Sequence, residues 1–269
     1  MMKKVLFINQ EITPYVPETE IAKAGKDVPQ VMLESGCEIR TFMPKWGNIN
    51  ERRGQLHEVI RLSGLDIVIN DVDHPTLIKV ASIPQTKIQV YFIDNEDFFI
   101  KRLMATDEDG KCYKDNGERA IFLARAVLET IKKLHWTPDI IHCQGWMAAF
   151  VPFYLKEAYQ DDPSICKAKV VTSIFGKQDF APFADKNLKQ CMLYRDITLD
   201  TIADMNNTLK AEDLAKMVTK YSDGIIEASA GIEPKVKEVI EKCGRKVLTY
   251  QDNNIKDSYL QFYDSLTEE

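Results

Sequence analysis

Short, uninterrupted apolar runs recur along this chain and alternate with segments of helical periodicity. The clearest runs lie at residues 5–8, 140–142, 168–172 and 224–226. A strand buried on both faces of a parallel sheet has this continuous apolar pattern, whereas a half-exposed strand alternates apolar and polar residues. Strands that alternate with helices in this way predict an α/β fold with a doubly wound, mostly parallel sheet.

Two segments depart from the simple alternation. From about residue 55 to residue 90 the chain carries short β-rich runs, which predict a β-hairpin insertion. Near the other end, Ile255, Tyr259 and Phe262 recur at helical spacing and predict an amphipathic helix over about 253–266. Because no linker or repeat interrupts the pattern, we expect residues 1–269 to form a single Rossmann-like domain.

The first helical segment contains a proline. Proline inside a helix removes a backbone hydrogen bond and clashes with the preceding turn. We therefore predict a break before Pro29, with Asp27 capping a second helical piece.

Composition excludes several classes of function. Lys and Arg number 35 and Asp and Glu 41, and the resulting net charge of −6 argues against nucleic-acid and anionic-membrane partners. The six cysteines include no Cys-x-x-Cys pair, and no two of the four histidines have a metal-binding helical spacing. We therefore expect no metal, no cofactor and no disulfide framework. The first apolar run is too short for a signal peptide, so we expect a cytoplasmic protein.

Ligands of doubly wound sheets bind at the carboxyl ends of the strands. These ends are predicted at residues 9–15, 93–98, 142–147 and 173–179. A phosphate cradle at the first of them would need glycine, yet no glycine lies between Ile8 and Gly25. That turn instead carries Glu11, Glu18 and Glu20 and no basic residue. Helix capping is the simplest role for these carboxylates, and they would repel a nucleotide diphosphate.

Two residues at the end of a predicted buried strand, His142 and Trp146, are candidates for a catalytic or binding role. His142 ends the strand and could act as a base or donate to a sugar hydroxyl, although a histidine that only fixes the turn fits equally well. Trp146 opens the next helix and could stack on a sugar ring, although an aromatic side chain there is more often part of the core.

Several motifs together resemble the N-terminal catalytic domain of bacterial glycogen/starch synthases. The motifs are Glu11-Ile-Thr-Pro-Tyr15, Met43-Pro-Lys-Trp-Gly47, Asp115-Asn116-x-Glu118-Arg119, Pro138-Asp-Ile-Ile-His142 with Trp146, and Tyr221-Ser-Asp223. They occur in the family's order across nearly the whole chain. The resemblance implies one half of a GT-B glycosyltransferase, with ADP-glucose as donor, an α-1,4-glucan as acceptor and no metal.

The resemblance also assigns site residues. It implies His142 and Glu11 as catalytic residues that orient sugar hydroxyls, and Trp146, Asn116 and Arg119 as substrate-binding residues. Asn116 and Arg119 could instead cap and brace their own helix, and this second role is favoured.

Three departures from the family pattern bear on activity. The family's Lys-Thr-Gly-Gly-Leu turn falls on residues 17–21, which read Pro-Glu-Thr-Glu-Ile, and its His-Asp-Trp-His run becomes Gln144-Gly-Trp-Met147. The family's second domain has no counterpart in these residues. We therefore expect transfer by this chain alone to be impaired or absent. The alternatives are a non-catalytic relative that binds glucan or a partner protein, and one subunit of a split synthase whose second half is another protein.

Overall fold

The computed structural model describes residues 2–176 and 183–267. Its strands are β1 (Lys4–Asn9), β2 (Glu38–Pro44), β3 (His57–Glu58), β4 (Leu65–Ile69), β5 (Val72–Ser82), β6 (Gln89–Asp94), β7 (Ile140–Gln144), β8 (Lys169–Ile174), β9 (Gly224–Glu227) and β10 (Lys246–Leu248). Its helices are α1 (Glu20–Glu34), α2 (Glu51–Gly54), α3 (Asn116–Leu134), α4 (Phe150–Ala158), α5 (Leu188–Met192), α6 (Ala211–Tyr221), α7 (Pro234–Lys242) and α8 (Ile255–Thr267), with a 3-10 turn at Trp146–Ala148.

The strands form one mixed sheet in the order β10-β9-β8-β7-β1-β2-β6-β5-β3, with β4 paired to β5. The run from β10 to β6 is parallel, and β3, β4 and β5 are antiparallel additions at one side. The strand order reverses direction between β1 and β7, which is where such sheets bind ligands. The predicted doubly wound, mostly parallel fold with a hairpin insertion is confirmed.

Each face of the sheet carries its own apolar core. Leu6 and Ile8 of β1 face the larger core, which α3 and α4 cover. Val5 and Phe7, which alternate with them, face the smaller core beneath α1 and α8. This alternation explains why β1 reads as a continuous apolar run, because both of its faces are buried.

The predicted break at Pro29 is wrong, because α1 continues through that residue as one helix. Val28 and Met32 flank the proline and are buried at 3% and 0% exposure. Their packing offsets the cost of about 3 kcal/mol of an interior proline. Asp27 does not begin a second helix; its carboxylate forms an ion pair with Lys23, one turn earlier.

The hairpin insertion ends in a tight turn between β4 and β5. Asn70 and Asp71 adopt positive φ angles of 49° and 61°. These angles correspond to the turn type that best matches the twist of a two-residue hairpin. The outer edge of β4 lies against α3, where Arg125 donates a hydrogen bond of 2.5 Å to the carbonyl of Val68.

Candidate functional site

The carboxylates of the turn after β1 are held by hydroxyl groups. Thr19 caps α1 by accepting from the amide of Ala22 at 3.0 Å, and its hydroxyl donates to Glu11 at 2.8 Å. At the start of α1, Glu20 accepts a hydrogen bond of 2.6 Å from Ser229, which follows β9. The positive end of the α1 dipole therefore already has negative groups beside it.

A glycine brings this turn close to its helix. A Cβ atom at Gly25 would lie 2.2 Å from the carbonyl oxygen of Glu11, so only glycine allows the present spacing. The carbonyl of Gln10, one residue earlier, accepts from the indole of Trp46 at 2.9 Å. The acidic turn is thus fixed from two sides.

The ends of β1 and β7 meet side by side. Asn9 pairs in register with Gln144, and the next residue, Gly145, has a φ of 85°. A Cβ at Gly145 would lie 2.7 Å from the Cβ of Gln10, so the turn closes tightly over the edge of the sheet. Asn9 is fully buried, and neither atom of its amide has a hydrogen-bond partner among the described residues.

His142 lies two residues before the end of β7 and is fully buried. Its Nδ1 is 2.6 Å from the hydroxyl of Tyr263, and its Nε2 is 2.7 Å from that of Ser173. Burial lowers the pKa of His142 to about 3, so the imidazole is neutral at physiological pH. Both ring nitrogens are therefore hydrogen-bonded to hydroxyl groups of the protein.

Trp146 follows Gly145 and is 5% exposed. Its ring meets Phe183 edge-on, with the centroids 5.2 Å apart. Beside it lies a cavity of about 490 Å³ at the carboxyl ends of β7 and β8. Its lining includes the apolar side chains of Trp146, Phe175, Leu214, Val218 and Val236, together with Ser173.

The sequence predicted Trp146 as a site residue, and Trp146 lines this cavity. It did not predict the wall of the cavity that α6 and α7 form. The apolar spacing of Leu214 and Val218 indicated a helix, yet nothing in it indicated which space the helix encloses. Part of the predicted strand end at 173–179, namely residues 177–179, lies outside the described residues.

Asn116 and Arg119 lie at the start of α3, and both are fully buried. The guanidinium of Arg119 donates to the carbonyls of Phe98, Leu103 and Met104 at 2.9, 2.7 and 2.7 Å. It also donates to Asn116 Oδ1 at 2.8 Å, and Asn116 donates to the carbonyl of Ala105 at 3.0 Å. In the structure these two side chains brace the segment before α3. Glu11, His142 and Trp146, by contrast, lie on the adjoining strands β1 and β7 or directly after them.

Asp185 is a site feature that the sequence did not reveal. Its carboxylate accepts from the amides of Gly117 and Glu118 at 3.1 and 2.9 Å and so caps α3 from a distant segment. Burial raises the pKa of both the Asp185 and the Glu118 carboxyl groups. Asp115, the residue directly before α3, makes no side-chain cap and instead accepts two hydrogen bonds from the guanidinium of Arg102.

Comparison with known proteins adds to this geometry. A family model described as the starch synthase catalytic domain matches residues 4–244. The chain belongs to this family. The resemblance seen in the sequence motifs is thereby confirmed.

Glycogen synthases are among its relatives. That of Chlorobium limicola is 38% identical over 183 residues, which are 67% of this chain and 37% of the relative. That of Chlorobium phaeovibrioides is 38% identical over 253 residues, 91% of this chain and 51% of the relative. The chain spans about half or less of the length of these curated relatives.

A solved structure supports the fold. The catalytic domain of starch synthase IV from Arabidopsis thaliana, bound to ADP and acarbose, superimposes with a TM-score of 0.75 at 15% identity. The match covers 96% of this chain and 53% of the plant chain.

Over residues 2–176 and 183–267, no helix has the length and apolar character needed to cross a membrane.

Proposed function

We propose that this chain forms one wall of a glucosyltransferase site that extends an α-1,4-glucan with glucose from ADP-glucose. Its membership of the starch synthase family and its glycogen synthase relatives support this activity. The plant starch synthase structure, which holds ADP and acarbose, supports the choice of ligands. The binding surface would be the carboxyl edge of β1, β7 and β8.

We further propose that the chain alone transfers glucose poorly or not at all. The observation that carries this proposal is the acidic start of α1, where Glu11 and Glu20 lie beside a helix end already capped by Thr19, and Glu18 directly precedes the cap in the chain. Transfer from a sugar nucleotide needs donors or cations on the departing diphosphate, where negative charge develops. Carboxylates at this position oppose that charge.

A second half would have to complete the cleft, because water must be excluded from the reacting centre. In the relatives, about half of the length lies outside the matched region. We propose that the missing wall comes either from further residues of the same polypeptide or from a separate protein.

Transfer of radiolabelled glucose to maltoheptaose tests the proposal directly. ADP-glucose and UDP-glucose are each supplied to the purified chain. The chain is tested alone and with a second polypeptide, the part of a glycogen synthase relative that lies outside the matched region. We expect no transfer by the chain alone and transfer from ADP-glucose once the second half is present. Ordinary turnover by the chain alone would refute the proposed dependence on a second half.

Matched variants separate charge from fold. Replacing both Glu18 and Glu20 with Gln removes two charges at the start of α1, whereas Glu34→Gln removes one at its far end. We expect calorimetry to show tighter ADP binding in the first variant and wild-type binding in the second. Equal ADP binding in all three proteins would show that the acidic turn does not control donor binding.

A non-catalytic glucan-binding role is the second candidate. Carboxylates that accept hydrogen bonds from hydroxyls, as Glu11 and Glu20 do here, suit a neutral sugar better than a diphosphate. Under this alternative, maltoheptaose binds to the chain, but no added second half produces transfer.

The roles of individual residues are also proposals. Glu11 would accept a sugar hydroxyl and Trp146 would contact a sugar ring at the edge of the sheet. His142, Asn116 and Arg119 would act behind this surface, because all three are fully buried. Replacing His142 by Ala should lower any transfer rate, and an unchanged rate would remove it from the site.

We propose a cytoplasmic location. All six cysteines are unpaired, and three of them, Cys37, Cys143 and Cys191, are buried. Unpaired thiols of this kind suit a reducing compartment. Fractionation of the native host's cells, with antibody detection, would test the assignment.

A further inference from the structure

A chain of four buried polar side chains runs from α8 through two strands. Tyr263 and Tyr259 belong to α8, His142 to β7 and Ser173 to β8. The Tyr263 hydroxyl is 2.6 Å from His142 Nδ1, and the Ser173 hydroxyl is 2.7 Å from His142 Nε2. Ser173 is also hydrogen-bonded to Tyr259, which completes the series.

The imidazole is neutral and carries one proton, while the hydroxyls on either side of it can each donate or accept. One ring nitrogen therefore donates to one hydroxyl, and the other nitrogen accepts from the other hydroxyl. Each member of the chain thereby has a partner, as buried polar groups require.

The chain reaches the proposed binding surface. Ser173 is part of the wall of the 490 Å³ cavity, which also includes Gly145 and Gly176. Gly145 follows β7, and Gly176 follows β8 by two residues. A Cβ atom at Gly176 would lie 2.5 Å from the carbonyl oxygen of Gly231, so this turn has little freedom to move.

We propose that Tyr263 is a positioning residue that, through its hydrogen bond with Nδ1, fixes the orientation and a single tautomer of His142 and, through the imidazole, holds Ser173 and the two turns that border the cavity. Tyr263 touches no ligand in this account and acts only through the imidazole. The proposal rests on the proposed function in one respect, namely that this cavity belongs to the binding surface. The hydrogen-bond chain itself is independent of any activity.

Nuclear magnetic resonance of the full chain tests the proposal without a ligand. In the wild type, the nitrogen signals of His142 should show a single tautomer, with one protonated and one unprotonated nitrogen. Tyr263→Phe removes only the hydroxyl that bonds Nδ1, so it should shift the Nδ1 signal and the amide signals of Gly145 and Gly176. A mixture of both tautomers in the wild type would overturn the proposal.

Leu266→Ala is the matched control. Leu266 is also a buried residue of α8, but it packs against Gly224 of β9 rather than against the imidazole. This variant should lower the melting temperature and leave the signals of His142, Gly145 and Gly176 in place. If Tyr263→Phe behaves in the same way as Leu266→Ala, the hydroxyl has only a packing role and the proposal fails.

Maltoheptaose binding is a second measurement on the same proteins. We expect the dissociation constant of Tyr263→Phe to rise by about fivefold, the effect of one lost buried hydrogen bond, and that of Leu266→Ala to stay at the wild-type value. If the wild type binds no maltoheptaose, this cavity is not a glucan site in the chain alone, while the tautomer and the amide shifts still decide the role of Tyr263.

Discussion

Among single residues, His142 and Arg119 are the two most instructive, because the fold buries both completely. Arg119 remains in the interior because backbone carbonyls and Asn116 accept its protons. His142 is in the interior because it is uncharged there, with its pKa lowered to about 3 by burial. Both positions matched family motifs in the sequence. The sequence could not show that the side chains lie beneath the surface rather than on it.

The pKa of His142 predicts how stability depends on pH. In the unfolded chain the imidazole has a pKa near 6.5, so below that pH the unfolded state binds a proton that the folded state excludes until about pH 3. Stability is therefore full above pH 6.5 and falls as the pH drops from there toward 3. The slope from this one residue approaches about 1.4 kcal/mol per pH unit.

A comparison with the variant His142→Gln isolates the contribution of this histidine to the pH dependence of stability. The variant should be less stable than the wild type at pH 7, and its free energy of unfolding should depend less on pH between 6.5 and 4. Urea unfolding at several pH values gives both quantities. Parallel pH profiles for the two proteins would contradict a buried, neutral histidine.

At the scale of elements, the strands were largely predictable and their contacts were not. The apolar runs gave β1, β7 and β9 because continuous burial leaves a direct mark on the sequence. The uninterrupted helix at Pro29 was missed, because the packing of Val28 and Met32 outweighs the local preference. The cap of α3 was equally hidden, since Asp185 lies 68 residues from Gly117.

Loss of that cap should destabilise α3. Asp185→Ala removes two hydrogen bonds and a negative charge from the start of the helix, and should cost about 1–2 kcal/mol. Asp185→Asn retains one acceptor and should cost less. Thermal unfolding of the three proteins ranks them, and an alanine variant as stable as the wild type would show that solvent replaces the cap.

At the scale of the whole molecule, the net charge of −6 and the acidic edge act in the same direction on a nucleotide. Most phosphate-binding sites are basic, so added salt weakens the binding of their anionic ligands. Here salt should screen a repulsion, because the Debye length falls from about 30 Å at 0.01 M to about 8 Å at 0.15 M.

We therefore expect ADP binding to this chain to strengthen, or at least not weaken, as salt rises over that range. Maltoheptaose carries no charge, so its affinity should stay constant and serves as the internal control. Calorimetric titrations at three salt concentrations suffice. A marked loss of ADP affinity with salt would reveal a basic nucleotide site and contradict the proposed role of the acidic turn.

The bond between Tyr263 and His142 joins residues 121 positions apart, which affects how the protein is made. On the ribosome, β7 is synthesised well before the helix that completes it, and protein synthesis adds about 5–20 residues per second. For several seconds a nascent chain therefore exposes an imidazole and an apolar sheet face that have no cover. Packing of α8 against β7 is therefore a late step relative to the synthesis of β7, and until it occurs the uncovered apolar face is a site for aggregation.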